Sequence, residues 1–302
     1  MNLPNLKHLQ YLLALHKQQH FHRAAQACFV SQSTLSSAIL KLEEQLDCQL
    51  IERNHKTFIF TSQGETIVKL ATQLLVSASE MVDFASQQGK PNAGSVRIGC
   101  IPTIAPFLLT DFANACQQKL PELELYLKED TTDNLIAQLA QGEIDTVILA
   151  LPIVTHAFNS RVLGKDNFYI AGDKQLVDRF NTDQSKGALN YHQLPQQSIF
   201  LLSQEHCLSE HTVSACSLSD QSYINPFSAT SLSTLVQMTS YHKGVTFLPK
   251  MAVNKDLGIR EGLSISKLSG DFYREIGMLW RPTSMRKQTF NELADIVEQL
   301  LK

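Results

Sequence analysis

A chain of 302 residues is long enough for about two domains. It is 43% hydrophobic, yet no apolar run approaches the roughly 20 residues of a membrane helix, and Met1 to Lys7 lack the charged-then-apolar pattern of a secretory signal; this reads as a cytoplasmic protein with no membrane partner. A net charge of -3 gives no bulk signal for nucleic-acid binding, and six cysteines in a cytosolic chain of this length are no disulfide scaffold, so any disulfide is expected to be transient and sensory.

Residues 5–18 carry Leu6, Leu9, Leu12, Leu13 and Leu15 on one side, which predicts an amphipathic buttressing helix. An alanine-rich helix, Arg23 to Cys28, follows, then a break at Phe29-Val30-Ser31. Ser31 is a good N-cap, since its hydroxyl can accept from the free amides of the next turn. The second helix places Leu35, Ala38, Ile39, Leu42 and Leu46 on an apolar stripe, with Gln32, Ser33, Ser36 and Ser37 opposite. Such short polar groups at a helix start suit base edges, although the spacing alone also fits an ordinary core helix pair. Two short strands, Gln49–Arg53 and Phe58–Thr61, then flank Arg53-Asn54-His55-Lys56 as a wing, where Arg53 and Lys56 can reach phosphates or the minor groove. Residues 63–87 read as one long helix in which Ile67, Ala71, Leu74, Ala78, Met81 and Ala85 form a heptad seam. The polar, glycine- and proline-bearing run from Ser86 to Gly94 is a hinge.

Arg23-Ala24-Ala25, Val30-Ser31-Gln32-Ser33, Thr34-Leu35-Ser36, Ile39, Leu42-Glu43, Leu46, Leu50-Ile51-Glu52-Arg53 and Thr61-x-x-Gly64 fall in an order that resembles LysR-type transcriptional regulators. Cys28 in place of a common leucine, Asp47-Cys48 in place of a glycine turn, and Lys56 in place of arginine depart from that pattern. The resemblance implies a winged helix-turn-helix DNA-binding domain over residues 1–62, with Gln32, Ser33, Ser36, Arg53 and Lys56 toward double-stranded DNA. It also implies a linker helix and hinge over 63–94, and a homodimer or homotetramer reading inverted-repeat operators, with RNA polymerase as a further candidate partner. Such a protein is a regulator and not an enzyme.

From Ser95 the pattern becomes α/β: strands at Val96–Cys100, Leu123–Lys128 and Asp145–Leu151 alternate with helices near 105–118 and 133–141. Phe168–Ala171 is expected to cross to a second lobe built from Ser198–Leu202, Thr230–Tyr241 and Gly244–Pro249; Glu275–Arg281 crosses back, and Arg286–Leu301 closes the first lobe. Residues 95–302 thus resemble a two-lobed, periplasmic-binding-protein-like α/β sensor that holds its signal between lobes, at the ends of strands.

The second lobe contains Gln204-Glu205-His206-Cys207-Leu208-Ser209-Glu210-His211-Thr212-Val213-Ser214-Ala215-Cys216. By themselves these are two loop cysteines nine residues apart, and His206, Cys207, His211 and Cys216 lack any standard zinc-ligand spacing, so no metal or cofactor is expected. With Ile101-Pro102-Thr103 and Ala229-Thr230-Ser231-Leu232-x-Thr234-Leu235, the stretch resembles the hydrogen-peroxide-sensing OxyR branch of the LysR-type family. That resemblance implies that peroxide oxidises Cys207, that Cys216 captures it as a disulfide, and that Thr103, Thr132, His206 and Arg281 form the peroxide pocket of an oxidative-stress activator. Cys28, Cys48, Cys100 and Cys116 read as buried thiols. A second reading stays open: a regulator sensing a small metabolite in the inter-lobe cleft, with incidental cysteines.

The chemistry suits the first reading. Peroxide needs a thiolate, and a helix over Leu208–Cys216 would put Cys207 at its positive end, beside His206, with Glu205 and Glu210 opposing unless they face water. Thr103 and Thr132 hydroxyls would orient peroxide, and Arg281 would stabilise the departing hydroxide. Nine residues of helix separate two Cα atoms by roughly 13 Å, whereas a disulfide needs about 4.4–6.8 Å. The segment must therefore unwind, carrying with it residues from Tyr223 to Phe227. Only Leu208 and Val213 read as sizeable apolar anchors against that.

Overall fold

Three helices carry the N-terminal core: α1 (Leu6–Gln18), α2 (Phe21–Ala27) and α3 (Gln32–Leu46). Leu9, Tyr11, Leu12 and Leu15 of α1 pack with Leu35, Ala38, Ile39 and Leu42 of α3, while Leu6 is exposed, so the buried stripe of α1 starts one turn later than its leucines suggest. Ser31 caps α3, its Oγ accepting from the Thr34 amide at 3.1 Å. Asp47 ends the helix at φ 46°, in the left-handed region that its short polar side chain tolerates. The computed structural model describes residues 3–53, 57–86, 92–153, 157–181, 191, 194–203, 207–215, 218, 220–268 and 272–302.

The wing is an antiparallel pair, β1 (Ile51–Arg53) and β2 (Phe58–Phe60), with Ile51 opposite Phe60 and Arg53 opposite Phe58. Glu43 organises its entry: Oε1 accepts from the Leu50 and Ile51 amides at 2.8 and 3.0 Å. Thr61 organises its exit, donating to the Gln49 carbonyl at 2.7 Å and accepting from the Gly64 amide at 2.9 Å in the first turn of α4 (Ser62–Ser86). Ile67, Val68, Ala71 and Leu75 turn α4 onto the helical core, whereas Leu70, Leu74, Met81 and Val82 are exposed. The expected heptad seam therefore divides: Ile67 and Ala71 are used within the domain, and the apolar stripe open to solvent starts at Leu70. By packing, α4 belongs with the helices before it, in a unit of residues 1–89 distinct from residues 90–302.

The second unit opens with β3 (Gly94–Cys100), α5 (Ala105–Lys119), β4 (Leu123–Glu129), α6 (Thr132–Gln141) and β5 (Thr146–Leu151), β3 lying parallel to both β4 and β5. β6 (Asn159–Gly172) leads to α7 (Lys174–Asn181), β7 (Ile199–Leu202), α8 (Cys207–Ala215), β8 (Ile224–Ala229), α9 (Leu232–Tyr241) and β9 (Val245–Pro249). α10 (Lys250–Val253), β10 (Ser264–Lys267), β11 (Tyr273–Trp280) and α11 (Lys287–Leu300) complete it. The strand order is β4-β3-β5-β11-β6-β9-β7-β8, with β10 also on β6. β6 is the continuous member: its first part pairs with β11, its last five residues pair with β9 and its last four with β10. One lobe is centred on Ile98, Phe112, Leu135, Val147, Ile276 and Phe290, the other on Phe168, Ile170, Phe200, Val236 and Phe247. The expected outward crossing thus lies within β6, which runs longer than its apolar run, whereas β11 pairs along its whole length with β5 and the first part of β6. Among the described residues no helix is long and apolar enough to cross a membrane.

Gly64 fits tightly where wing and α4 meet, since a Cβ there would lie 2.2 Å from the Leu50 carbonyl oxygen. Gly64→Ala is expected to cost the N-terminal unit about 1–3 kcal/mol, read as a lower denaturant midpoint; an unchanged midpoint would show that the junction yields freely.

Candidate functional site

Gln32 and Ser33 are exposed at the start of α3, and Ser36 is half-buried one turn on. Ser33 Oγ lies 2.9 Å from Ser31 Oγ, so the cap and the exposed face share one hydroxyl network. Arg53 lies against this face: Nη1 is 3.5 Å from Ser36 Oγ, Nη2 is 3.7 Å from Glu43, and the guanidinium sits 5.6 Å from the Phe21 ring centroid. The structure therefore brings Arg53 and Ser36 together. Lys56 lies outside the described residues. Beside α3 runs a groove lined in part by Lys7, Ser33, Thr34, Ser37 and Lys41, whose two lysines add positive charge next to the exposed face of the helix.

In the second unit, β3 ends at Cys100 and β4 at Glu129, paired in parallel. Thr103 follows the first strand and Thr132 the second at the same interval, so both candidate threonines lie beyond the carboxyl ends of adjacent strands. Thr103 is buried and bound to an arginine, but not the expected one. Arg274 Nη1 donates to Thr103 Oγ1 at 2.8 Å and Nη2 to the Thr103 carbonyl at 2.9 Å. Its Nε donates to Asp166 Oδ2 at 3.0 Å, and Nη2 lies 3.5 Å from Met251 Sδ. Arg281 is a correction. It lies past the other end of β11, seven residues on, or about 23 Å along an extended strand. There Nη1 donates to the Leu139 and Ile144 carbonyls at 2.9 and 2.6 Å and Nη2 pairs with Asp145 at 3.5 Å, which fastens the α6–β5 turn inside the first lobe.

α8 begins at Cys207, as the thiolate argument requires, and packs on β7 and β11. His206, Cys216 and the side chain of Cys207 lie outside the described residues. The helix is better anchored than expected. Leu208, Ser209 and Thr212 are all buried; Ser209 Oγ donates to the Leu202 carbonyl at 2.6 Å and Thr212 Oγ1 to the Leu208 carbonyl at 2.7 Å. On its β8 side lies a groove of about 1050 Å³ bordered by Glu210, Val213, Leu218, Ile224 and Phe227. Among the other cysteines, burial raises the thiol of Cys116 to about 12, and raises those of Cys100 and Cys28. All three stay protonated at neutral pH and are poor nucleophiles.

Comparisons with known proteins bear on both units. Residues 6–65 match the family of bacterial regulatory helix-turn-helix proteins of the lysR type, and residues 89–302 match the LysR substrate binding domain. The chain belongs to the LysR family of DNA-binding transcription regulators. It is 33% identical over 299 residues to the hydrogen peroxide-inducible genes activator of Haemophilus influenzae, covering 99% of this chain and 97% of that protein. It is 32% identical over 302 residues to the transcriptional regulator EstR of Acinetobacter baylyi, covering 99% and 97%. Among solved structures, the reduced regulatory domain of OxyR2 from Vibrio vulnificus is 46% identical, with a TM-score of 0.63 over 69% of this chain and 96% of that one. A full-length cysteine-to-aspartate variant of OxyR from Pseudomonas aeruginosa is 28% identical, with a TM-score of 0.72 over 98% of both chains.

In this LysR-family chain the residue that sequence reasoning missed is Arg274. Its signal was an arginine just ahead of the apolar run Ile276–Trp280, set one residue outside the expected strand start. His211 gains a place as well, on α8 four residues after its first position. Burial first, and then the positive charge of Arg274, holds its imidazole below the ordinary histidine range. On acidification the unfolded chain takes up a proton from about pH 6.5 while the folded one resists. The contribution of neutral His211 to stability is thus complete above about pH 6.5 and is lost as pH falls through the folded value. Amide protection of α8 in reduced protein is expected to drop on this acid side, and His211→Gln to flatten the drop; equal pH profiles for both would contradict the assignment.

Proposed function

We propose that the chain is a peroxide-responsive transcription activator in which Cys207 is the sensing thiol and Cys216 its disulfide partner. The observation that carries the reading is the Arg274–Thr103 cluster beneath a short helix that opens at Cys207. A buried guanidinium and a helix N-terminus both favour a thiolate. The thiolate attacks one peroxide oxygen, the O–O bond breaks and hydroxide leaves, giving a sulfenic acid; the Cys216 thiol then displaces water to form the disulfide. Thr132, at the head of α6, and His206 remain candidates for orienting peroxide, and Arg274 takes the role first given to Arg281. The peroxide-inducible activators and OxyR structures among the relatives support the same reading. A metabolite in the cleft is favoured less, because Thr103, Arg274 and Asp166 are bonded to one another instead of lining an open polar site.

DNA recognition is assigned to Gln32, Ser33 and Ser36, with Arg53 and Lys56 on the backbone, in a dimer or dimer of dimers that reads an inverted repeat. RNA polymerase is the downstream partner of such an activator, and the setting is cytoplasmic. Gln32→Ala is expected to relax base preference in footprints, and Lys56→Ala to weaken all sequences alike. The deciding experiment is thiol trapping with mass spectrometry after dilute peroxide, run beside operator binding. Wild type should give a Cys207–Cys216 disulfide and an altered footprint; Cys207→Ser should give neither, and Cys216→Ser should stop at sulfenic acid. A footprint that responds to peroxide in Cys207→Ser would reject the proposal.

A further inference from the structure

Asp166 is a charged residue that neither the motifs nor the expected pocket include. It lies on β6 in direct register with Arg274 on β11, so the two side chains share one face of neighbouring antiparallel strands. The pair is out of water: side-chain exposure is 0% for Arg274 and 3% for Asp166. Asp166 Oδ2 takes the Arg274 Nε hydrogen, and Oδ1 accepts from the Met251 amide at 3.1 Å, in the first turn of α10. The carboxylate is therefore fixed from two sides and cannot swing away from the guanidinium.

This site does not need an acid to hold the strands together. β6 and β11 are paired by backbone ladders on both sides of residue 166, and Arg274 has two further bonds to Thr103. What the acid changes is charge. β11 packs against α8, so an unbalanced guanidinium in this low-dielectric place would act strongly on groups at the start of that helix. The other charged or titratable groups placed here, among the described residues, are His211 and Glu210 on α8, Cys100 on β3, and Glu129 at the end of β4. Cys100 is held protonated by burial. Of the two acids other than Asp166, neither has a hydrogen bond to Arg274 in the structure, so Asp166 is the direct counter-charge.

We propose that Asp166 is a positioning residue that offsets the charge of Arg274 and thereby limits the thiolate fraction of Cys207, setting how readily the switch fires. The inference rests on Cys207 being the sensing thiol. Asp166 touches no reactant; it acts through the guanidinium.

The test is the pH profile of alkylation of Cys207 by iodoacetamide, in the full-length reduced protein carrying Cys216→Ser and followed by mass spectrometry. Alkylation reports thiolate whether or not peroxide is the signal, so failure of the peroxide reading and failure of this inference are separable. Asp166→Asn is expected to move the midpoint to lower pH by about one unit, or roughly tenfold more thiolate on the acid limb, and Asp166→Glu to restore the wild-type midpoint. A midpoint that stays or rises in Asp166→Asn overturns the proposal. Should that variant not fold, Arg274→Met serves instead. Alone it leaves Asp166 uncompensated and should raise the midpoint, and adding Asp166→Asn should lower it again. Equal midpoints for the single and the double variant overturn the proposal as well.

Discussion

A guanidinium with no access to water must find all its partners inside the protein, and around Arg274 that requirement joins parts of the chain far apart in sequence. Thr103 comes from the loop after β3, Asp166 from β6, Met251 from the start of α10, and the arginine itself from β11. Two of these elements are neighbouring strands, one of which, β6, runs through both lobes, and a third is the first turn of α10. Removing one member of such a buried pair leaves an unpaired charge, typically at about 3–5 kcal/mol. The cluster is thus a fixed electrostatic reference point, and the adjoining α8 is the part that can change.

α8 is nine residues long, too short to be stable as an isolated helix. It exists because Leu208, Ser209 and Thr212 are buried, and because Ser209 is bonded to the β7 carbonyl of Leu202. These anchors are few and local. The groove between α8 and β8 gives the segment room to rearrange, and Ile224 and Phe227 on β8 border that space. A covalent bond that is incompatible with nine helical residues can exchange this small packed element for another arrangement and pass the change to the edge strand β8.

The N-terminal unit was legible because its signals are local and periodic: the Ser31 cap, the three-four spacing of Leu35, Ile39 and Leu42, and the Thr61-x-x-Gly64 turn all do in the fold what their chemistry suggests. The seam of α4 was only half legible, since a heptad pattern does not say which turns are spent on the helix's own domain. In the second unit the apolar strands could be read, but β10 and α10 are four residues each and carry no period to detect. The Arg281 assignment failed for a related reason. Arg274 and Arg281 bracket the same strand, and only the register of β11 against β6 determines which end meets Thr103. Asp166 was invisible because a buried acid is recognisable only once its partner is known.

In the proposed switch, oxidation at Cys207 is read out through α8 while the Arg274 cluster stays in place. Hydrogen exchange of the full-length protein, before and after one equivalent of peroxide, tests it most directly. Protection should be lost across residues 208–215 and altered in β8, while β3, β11 and the first lobe keep their reduced-state values. Disulfide formation with unchanged protection across α8 would contradict the account.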